Sequence, residues 1–290
     1  MRALVTGAAG FIGSRLLARL RGAGHSAVGL DLRPSDLVAD VRDTDAVHRA
    51  LARVEPDVVF HFAGPVAPGF AQAFHDAVRL QVEGTLAVLE AARRRPAPPT
   101  LVLASSYYVY LSQPPAAVVD EDTSIILSEL EGFGASKLYS ESLVQSIGNR
   151  HAMRYAVLRI GSAYGPGACT NLIADFVANG RAGEKLVIWG EGSRRNQFTY
   201  VDDVVDGAIL AARRAENEIV NLISEEVVEV RMVARMMFEK FGFEATFDRQ
   251  RQEPPSSPTM RSRKAARWGW GPRSLAAGIR LMNVPGSVQS

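Results

Sequence analysis

The chain of 290 residues is 47% apolar and 22% charged, a composition typical of a globular protein with a sizeable core. Its formal net charge of +2 excludes the basic composition of a nucleic-acid-binding protein, and the sequence has no apolar run of about 18 residues that would predict a membrane span. A single cysteine, Cys169, excludes an internal disulfide and favours the cytoplasm, and we expect it to be a structural thiol.

The predicted elements alternate between strand and helix up to residue 166. Continuous apolar runs predict parallel strands, which are covered on both faces, at residues 2–6, 26–31, 58–62, 100–104 and 155–160. Apolar periodicity predicts helices at residues 11–20, 43–53, 71–94 and 132–149. This alternation is typical of an α/β fold, a Rossmann-type doubly wound parallel sheet with right-handed crossovers. The chain begins directly with a strand, so no signal peptide is predicted.

The pattern becomes less regular after residue 167, which predicts a second unit. We expect residues 1–166 and about 199–222 to form a dinucleotide-binding domain. A smaller C-terminal substrate-binding lobe is expected from about 167–198 and 223–290, over the carboxyl edge of the sheet. The five histidines show no spacing typical of metal ligands, so no metal site is predicted.

A glycine-rich segment connects the first predicted strand to the first predicted helix. Gly7, Gly10 and Gly13 would let the backbone approach a pyrophosphate, and the helix N-terminus would offer it free N–H groups. Asp31 ends the second strand, where a carboxylate accepts hydrogen bonds from the adenosine ribose of NAD and repels the 2′-phosphate of NADP. Arg33 could hold that phosphate, so the predicted cofactor is NAD(P)H, with NADH favoured and NADPH left open.

Asp40 and Val41 are predicted to flank the adenine of the same cofactor. The alternative interpretation is that Asp31 and Asp40 are surface turn residues, since a glycine-rich loop by itself is often only a turn. The strand–loop–helix context favours the cofactor.

Further motifs follow in the order of the extended short-chain dehydrogenases/reductases, and the chain resembles that family over essentially its whole length. The motifs are Asp40-Val-Arg-Asp43, Pro56-Asp-Val-Val-Phe-His-Phe-Ala-Gly64, Val82-Glu-Gly-Thr-Leu-Ala-Val-Leu-Glu-Ala-Ala92, Ser105-Ser-Tyr-Tyr-Val-Tyr110, Leu158-Arg-Ile-Gly-Ser-Ala-Tyr-Gly-Pro166, Phe198-Thr-Tyr-Val-Asp-Asp203 and Trp268-Gly-Trp-Gly-Pro272. The resemblance implies additional cofactor contacts from Phe11, Ile12, Leu32, Phe62, Ala63, Gly64, Ala104, Ser105, Lys137 and Ile160.

The resemblance also assigns catalytic positions. Ser106 matches the serine that hydrogen-bonds the substrate carbonyl, and Lys137 matches the lysine that holds the nicotinamide ribose. Phe133 stands where the family has its proton-donating tyrosine, and a phenyl ring has no proton to give. The proton would come from Ser106, Tyr108, an ordered water, or a phenol beside the ketone on the substrate itself. Outside this family setting, Ser106 would be a turn residue and Lys137 a surface residue.

Other departures concern the substrate. Asn196 and Ser162 stand where sugar-nucleotide enzymes of the family use an arginine and an asparagine to hold the diphosphate, although Arg194 or Arg195 could compensate. Gln81 replaces the helix asparagine near the nicotinamide. The segment 124–127 is more apolar than a sugar pocket needs, which favours a flat hydrophobic substrate. The alternative is that residues 125–127 pack on the core. The predicted substrate-binding residues are Val66, Tyr107, Tyr108, Ile126, Ser162 and Asn196.

The predicted function is an NAD(P)H-dependent ketoreductase that reduces a ketone of an aromatic polyketide, resembling antibiotic-tailoring ketoreductases of the angucyclinone type. One alternative is a nucleotide-sugar epimerase or dehydratase, which includes the case that Phe133 is an engineered knock-out. A second alternative is a non-catalytic NAD(P)-binding sensor. The expected partner is a hydrophobic small molecule, with no nucleic acid and no membrane. A monomer or a homodimer is expected, since many relatives dimerise through helices corresponding to 71–94 and 132–149.

Overall fold

A computed structural model describes residues 1–168, 170–214 and 216–283, so Cys169 lies outside the described residues. Its strands are β1 (Arg2–Thr6), β2 (Ser26–Asp31), β3 (Leu37–Val38), β4 (Val58–His61), β5 (Thr100–Ser106), β6 (Val118–Val119), β7 (Tyr155–Ile160), β8 (Ser162–Tyr164), β9 (Leu186–Trp189), β10 (Arg195–Tyr200), β11 (Glu218–Leu222), β12 (Val227–Glu229), β13 (Ala245–Asp248) and β14 (Thr259–Met260). Its helices are α1 (Phe11–Gly22), α2 (Thr44–Val54), α3 (Ala67–Gln72), α4 (Phe74–Arg93), α5 (Gly132–Arg150), α6 (Leu172–Arg181), α7 (Val201–Arg214), α8 (Val230–Phe241), α9 (Arg263–Arg267) and α10 (Leu275–Leu281). None of these helices is long and apolar enough to cross a membrane.

Seven parallel strands form the central sheet, in the order β11-β7-β5-β4-β1-β2-β3. Its strands are buried on both faces because helices cover both sides. Leu16 of α1 and Val204 of α7 belong to the core on one face, while Val47, Val88 and Val144 bring α2, α4 and α5 into the core on the other. The prediction of a Rossmann-type α/β fold is confirmed.

The remaining strands form small sheets, in the orders β12-β10-β8, β13-β9 and β14-β6. A third apolar cluster joins the first two of these sheets to α6 and α8 through Tyr164, Phe176, Phe198, Val233 and Phe241. Strands β6 and β14 pack into a different cluster through Val119 and Met260. The strands of these small sheets were not predicted. All but the six-residue β10 have two to four residues, which carry too little periodicity.

Two features differ from the sequence prediction. The helix predicted at 71–94 is split into α3 and α4, because the backbone of Ala73 (φ −131°, ψ 51°) leaves the helical region. Helix α9, inside the predicted lobe, packs against β11, and its Ala265 belongs to the main core. The division into two domains stays a prediction.

Candidate functional site

The predicted site residues gather where the carboxyl ends of the parallel strands meet. Thr6 pairs with Leu30 of β2 and with His61 of β4, and Ser106 pairs with Ile160 of β7. The strand order reverses between β1 and β4, the point at which open α/β sheets form a crevice for ligands. The cofactor and catalytic candidates therefore share one edge of the sheet.

The glycine-rich loop is tightly folded at the start of α1. Gly7 has a φ of 72°, and its carbonyl accepts a hydrogen bond of 2.9 Å from the N–H of Gly10. A Cβ at Gly13 would lie 2.1 Å from the oxygen of Gly7, so no larger residue fits there. Helix α1 begins at Phe11 without a side-chain cap, which leaves its first N–H groups available to an anion. This cradle fits a dinucleotide pyrophosphate.

The carboxylate of Asp31 supports the loop as well as facing the crevice. Its two oxygens accept hydrogen bonds of 2.9 Å from the N–H groups of Ala9 and Arg33. The Arg33 guanidinium lies 3.5 Å from the carboxylate, and its side chain is 63% exposed against 10% for Asp31. Leu32 between them is also exposed. The arrangement leaves an exposed guanidinium, paired with Asp31, beside the position expected for the adenosine ribose.

The predicted adenine residues are engaged elsewhere through their side chains. Arg42 binds both oxygens of the Asp40 carboxylate at 2.6–3.1 Å, and these hydrogen bonds lower the pKa of Asp40. Val41 is buried in the core, where a Cβ at Gly84 would lie 2.7 Å from its methyl group. Only the backbone of Val41 remains for a ligand. Four further predicted cofactor contacts are partly buried against the core: Ile12, Phe62, Ala63 and Ala104.

Lys137 is buried beneath the catalytic candidates. Its ammonium donates a hydrogen bond of 3.2 Å to the carbonyl of Ala104, next to the strand end that carries Ser106. Burial lowers the pKa of Lys137 to about 8, against the opposing attraction of Glu141. The hydroxyl of Ser106 accepts a hydrogen bond of 3.3 Å from the N–H of Tyr108, which leaves the hydroxyl proton for a substrate oxygen.

An unpaired acceptor lies beside Lys137. Gln81 is buried, its amide nitrogen donates to the hydroxyl of Ser140 at 3.1 Å, and its Oε1 has no hydrogen-bond partner within the described ranges. A Cβ at Gly64 would lie 2.8 Å from this oxygen and 3.4 Å from the Lys137 Nζ. Both polar atoms therefore border the same space next to Gly64, which fits a polar part of a ligand.

His61 fills the core below this space in its neutral form. Thr85 donates its proton to the carbonyl of Gln81 at 2.7 Å, so it must accept from His61 Nε2 at 3.3 Å, and His61 Nδ1 must accept from Thr6 at 2.7 Å. Burial, together with the charge of Lys137, lowers the pKa of His61 to about 3. The imidazole acts as a structural link between β1, β4 and α4.

The Ser105 side chain points away from the crevice to a buried ion pair. Its hydroxyl donates to Glu141 of α5, whose carboxylate accepts further hydrogen bonds of 2.7–3.2 Å from Arg159 of β7. Both charged side chains are almost fully buried. Arg159 also donates to the hydroxyl of Tyr110 at 2.9 Å. Only the backbone of Ser105 remains for the cofactor.

A continuous aromatic chain runs beside the catalytic candidates through Phe74, Phe70, Phe133, Tyr108 and Tyr107. Successive ring centroids are 5.3, 5.5, 5.0 and 4.8 Å apart, and the first three contacts are edge-to-face. The ring of Phe133 sits in the middle of this chain, with the Lys137 Nζ at 5.6 Å from its centroid. The position of the family tyrosine is thus part of an aromatic wall.

The predicted substrate residues fall into two groups. Tyr107, Ser162 and Asn196 line one cavity of about 10 Å³, room for about one water, and the Nδ2 of Asn196 is buried without a partner there among the described residues. Burial raises the pKa of Tyr107. Val66, Ile126 and Leu127 are instead exposed. Ile125 packs against a buried cluster, so the segment 125–127 is only partly directed to the core.

A separate cavity of about 280 Å³ lies between β9, α6 and the turn before β10. Its walls include Leu172, Val187, Trp189 and Arg194. The positive charge of Arg194 opposes the rise in the pKa of Tyr107. Among the described residues, no group of three or more His, Cys, Asp or Glu side chains could hold a metal ion.

Several of these residues were missed from the sequence. Phe70 and Phe74 carried no motif, and their only signal was a spacing of four residues near a predicted helix. Glu141 follows Lys137 by four residues and so lies one turn along α5, a signal that was available. The partnership of Glu141 with Arg159 could not be read from spacing, because the two belong to different elements.

Comparison with known proteins gives a family. A sequence profile of the NAD dependent epimerase/dehydratase family matches residues 3–222. The chain is 29% identical to a putative UDP-glucose 4-epimerase of Methanocaldococcus jannaschii, over 96% of this chain and 95% of that protein. It is 28% identical to a 3-diazoavenalumate denitrifying reductase of a Streptomyces species, over 78% and 77% of the two chains.

Solved structures have the same architecture. The UDP-glucose 4-epimerase of Thermotoga maritima superposes with a TM-score of 0.86 at 24% identity, covering 97% of each chain, a likeness of fold alone. The structure of MoeE5 with UDP-glucose and NAD superposes with a TM-score of 0.83 at 29% identity, covering 96% of each chain.

Proposed function

The chain belongs to the NAD-dependent epimerase/dehydratase family, and on that premise we propose that it is a ketoreductase acting on a flat, aromatic ketone of the polyketide class. The prediction of a nicotinamide dinucleotide as cofactor is confirmed by the family. The exposed Arg33 beside Asp31 supports the use of both NADH and NADPH.

The observation that carries this proposal is the aromatic chain of Phe74, Phe70, Phe133, Tyr108 and Tyr107. A wall of edge-to-face rings suits a planar apolar ligand, whereas a sugar needs polar partners for its hydroxyls. The exposed apolar side chains of Val66 and Ile126 extend this character onto neighbouring loops.

The proposed chemistry divides between cofactor and protein. The reduced nicotinamide supplies hydride to the carbonyl carbon when it is bound. Ser106 donates a hydrogen bond to the carbonyl oxygen, and Lys137 holds the nicotinamide ribose with one of its three N–H groups. The proton comes from a source other than a side chain at position 133, since Phe133 has none: a phenol of the substrate, a water or another side chain.

A nucleotide-sugar epimerase is the second candidate, favoured by the near-complete overlap with the Methanocaldococcus jannaschii relative. The cavity lined by Trp189 and Arg194 has the size for part of such a ligand. Against this candidate, Asn196 and Ser162 border a space for about one water rather than a diphosphate.

Steady-state assays test the proposal. The absorbance of the reduced nicotinamide should fall when an aromatic polyketide ketone is the substrate and should stay constant when UDP-glucose is the substrate. Ser106→Ala should lower kcat for the ketone at least tenfold. Interconversion of UDP-glucose and UDP-galactose by the unaltered chain, with no ketone reduced, would contradict it.

A further inference from the structure

We propose that Lys137 is the acid that replaces the missing tyrosine, delivering its proton to the reduced carbonyl oxygen through one water held between its ammonium and Gln81 Oε1. This inference rests on the proposed ketoreductase function. It assigns the lysine a chemical step beyond its expected contact with the cofactor, and it assigns Gln81 the role of a positioning residue.

The ammonium is placed for this role. Nζ donates one N–H to the carbonyl of Ala104 at 3.2 Å, which leaves one N–H for the cofactor ribose and one for a water. It lies 5.6 Å from the centroid of the Phe133 ring, and so beside the group that occupies the position of the family tyrosine. The missing hydroxyl therefore has a proton donor next to it.

The unpaired oxygen of Gln81 supplies the second anchor. The hydroxyl of Ser140 donates its proton to the carbonyl of Ser136 at 3.1 Å, so it can only accept from the side chain of Gln81. The amide nitrogen of Gln81 therefore faces Ser140, and its Oε1 faces the opposite side. Oε1 and the Lys137 Nζ then meet at Gly64, where a Cβ would lie 2.8 Å from one and 3.4 Å from the other. A buried acceptor without a partner is rare and points to a bound water or ligand.

The electrostatics suit proton release. Burial lowers the pKa of Lys137 to about 8, and the groups that face it are Glu141 on its own helix, which opposes the shift, and His61 of β4, which is neutral. The charge of Glu141 is itself shared with Arg159 of β7. An acid with a pKa near 8 is matched to work near neutral pH, whereas burial makes Tyr107 a weaker acid than usual.

The proposed reduction conserves atoms and charge. Hydride from the reduced nicotinamide adds to the carbonyl carbon, and the C=O π pair becomes a lone pair on oxygen. That oxygen takes a proton from the water while the water takes one from Nζ. Lys137 is left as a neutral amine and regains its proton from solvent before the next turnover.

The first test separates proton donation from cofactor positioning. Lys137→Arg keeps the charge but cannot release a proton, so kcat should fall by about 10²–10³, while the Kd for NADH, measured by fluorescence titration, changes less than about fivefold. The kcat/KM of the unaltered enzyme should decline as pH rises through about 8, and this decline should be absent in the variant.

A rescue experiment sharpens the result. Phe133→Tyr alone should change kcat by less than about tenfold, because the site already has an acid. In the double variant with Lys137→Arg, however, kcat should be at least tenfold higher than in Lys137→Arg alone, since the phenol supplies a proton again. A lysine that only positions the cofactor would give no such rescue.

Gln81→Met tests the water anchor with a side chain of similar length. We expect kcat to fall about tenfold with an unchanged Kd for NADH, whereas the same substitution at Gln145, on α5, should have no effect. If Gln81→Met retains full kcat, Gln81 does not position the proton path.

A direct measurement does not depend on turnover. The chain has four lysines, at 137, 185, 240 and 264, so ¹³C-lysine NMR is tractable, and the resonance missing from Lys137→Arg should titrate near pH 8. Full activity of Lys137→Arg on a ketone, or loss of activity only when a phenol of the substrate is methylated, would overturn the inference and leave the ketoreductase standing. Failure of every ketone would instead remove the proposed function, and the titration would still report the state of Lys137.

Discussion

Single side chains at the cofactor end decide between related ligands. The guanidinium of Arg33 is exposed and lies 3.5 Å from Asp31, so it can partner a 2′-phosphate that Asp31 would otherwise repel. We expect Arg33→Ala to weaken NADPH binding at least tenfold and NADH binding less than threefold, measured by calorimetry. Arg53→Ala on the exposed side of α2 is the control. Equal losses for both cofactors would show that Arg33 does not contact the phosphate.

The buried imidazole of His61 predicts sensitivity to acid. Its pKa is about 3 in the folded chain and about 6.5 when unfolded, so between these pH values only the unfolded state is protonated. The free energy of unfolding should therefore decrease as pH falls below about 6.5, with a slope of up to about 1.4 kcal/mol per pH unit from this residue. His61→Asn should reduce the slope in urea titrations, and His75→Asn should leave it unchanged. An equal slope in all three proteins would mean that other groups cause the acid sensitivity.

At the scale of elements, the loop before α1 is the part of the site most sensitive to added volume. A Cβ at Gly10 would already lie 3.0 Å from the carbonyl oxygen of Gly7, and the methyl groups of valine would enter the space expected for the pyrophosphate. Gly10→Val should lower the affinity for NADH at least about 100-fold by calorimetry. Gly22→Val, at the other end of the same helix with no neighbour within 4 Å, should bind NADH normally. Unchanged affinity in Gly10→Val would remove the loop from the cofactor site.

The ion pair between Glu141 and Arg159 fastens α5 to the sheet. Removing one partner leaves the other charged and buried, which costs about 3–5 kcal/mol in proteins. Glu141→Gln should therefore lower the midpoint of chemical unfolding strongly. Glu83→Gln, which breaks the exposed pair with Arg79, should change it little. A small effect of Glu141→Gln would show that the neighbouring groups absorb the charge of Arg159.

These elements also show how far sequence reasoning reaches. Most strands of the central sheet were predicted because a buried parallel strand leaves an unbroken apolar run in the sequence, as in 58–62. The glycine loop was predicted because the spacing of its glycines follows from backbone geometry. The aromatic chain was not predicted, since Phe70 and Phe133 meet only when two helices pack. The same holds for the Ser105 hydroxyl, whose partner Glu141 is 36 residues away.

On the scale of the whole molecule, a bound ligand should stabilise the fold by an amount that grows with the logarithm of its concentration divided by its Kd. NADH at about 100 times its Kd should add about 2.7 kcal/mol to the free energy of unfolding and raise the melting temperature. UDP-glucose at millimolar concentration should produce almost no shift, because the space beside Asn196 and Ser162 has room for about one water. A large shift with UDP-glucose alone would favour the epimerase.

The burial of Lys137 has a practical consequence for handling the protein. The other three lysines of the chain, at 185, 240 and 264, all lie beyond residue 166, and Lys185 is well exposed. Amine-reactive reagents should therefore couple at these positions and at the α-amino group while sparing the buried amine of Lys137. A support or dye attached through lysine would then be carried mainly by the C-terminal part of the chain, in a restricted set of orientations.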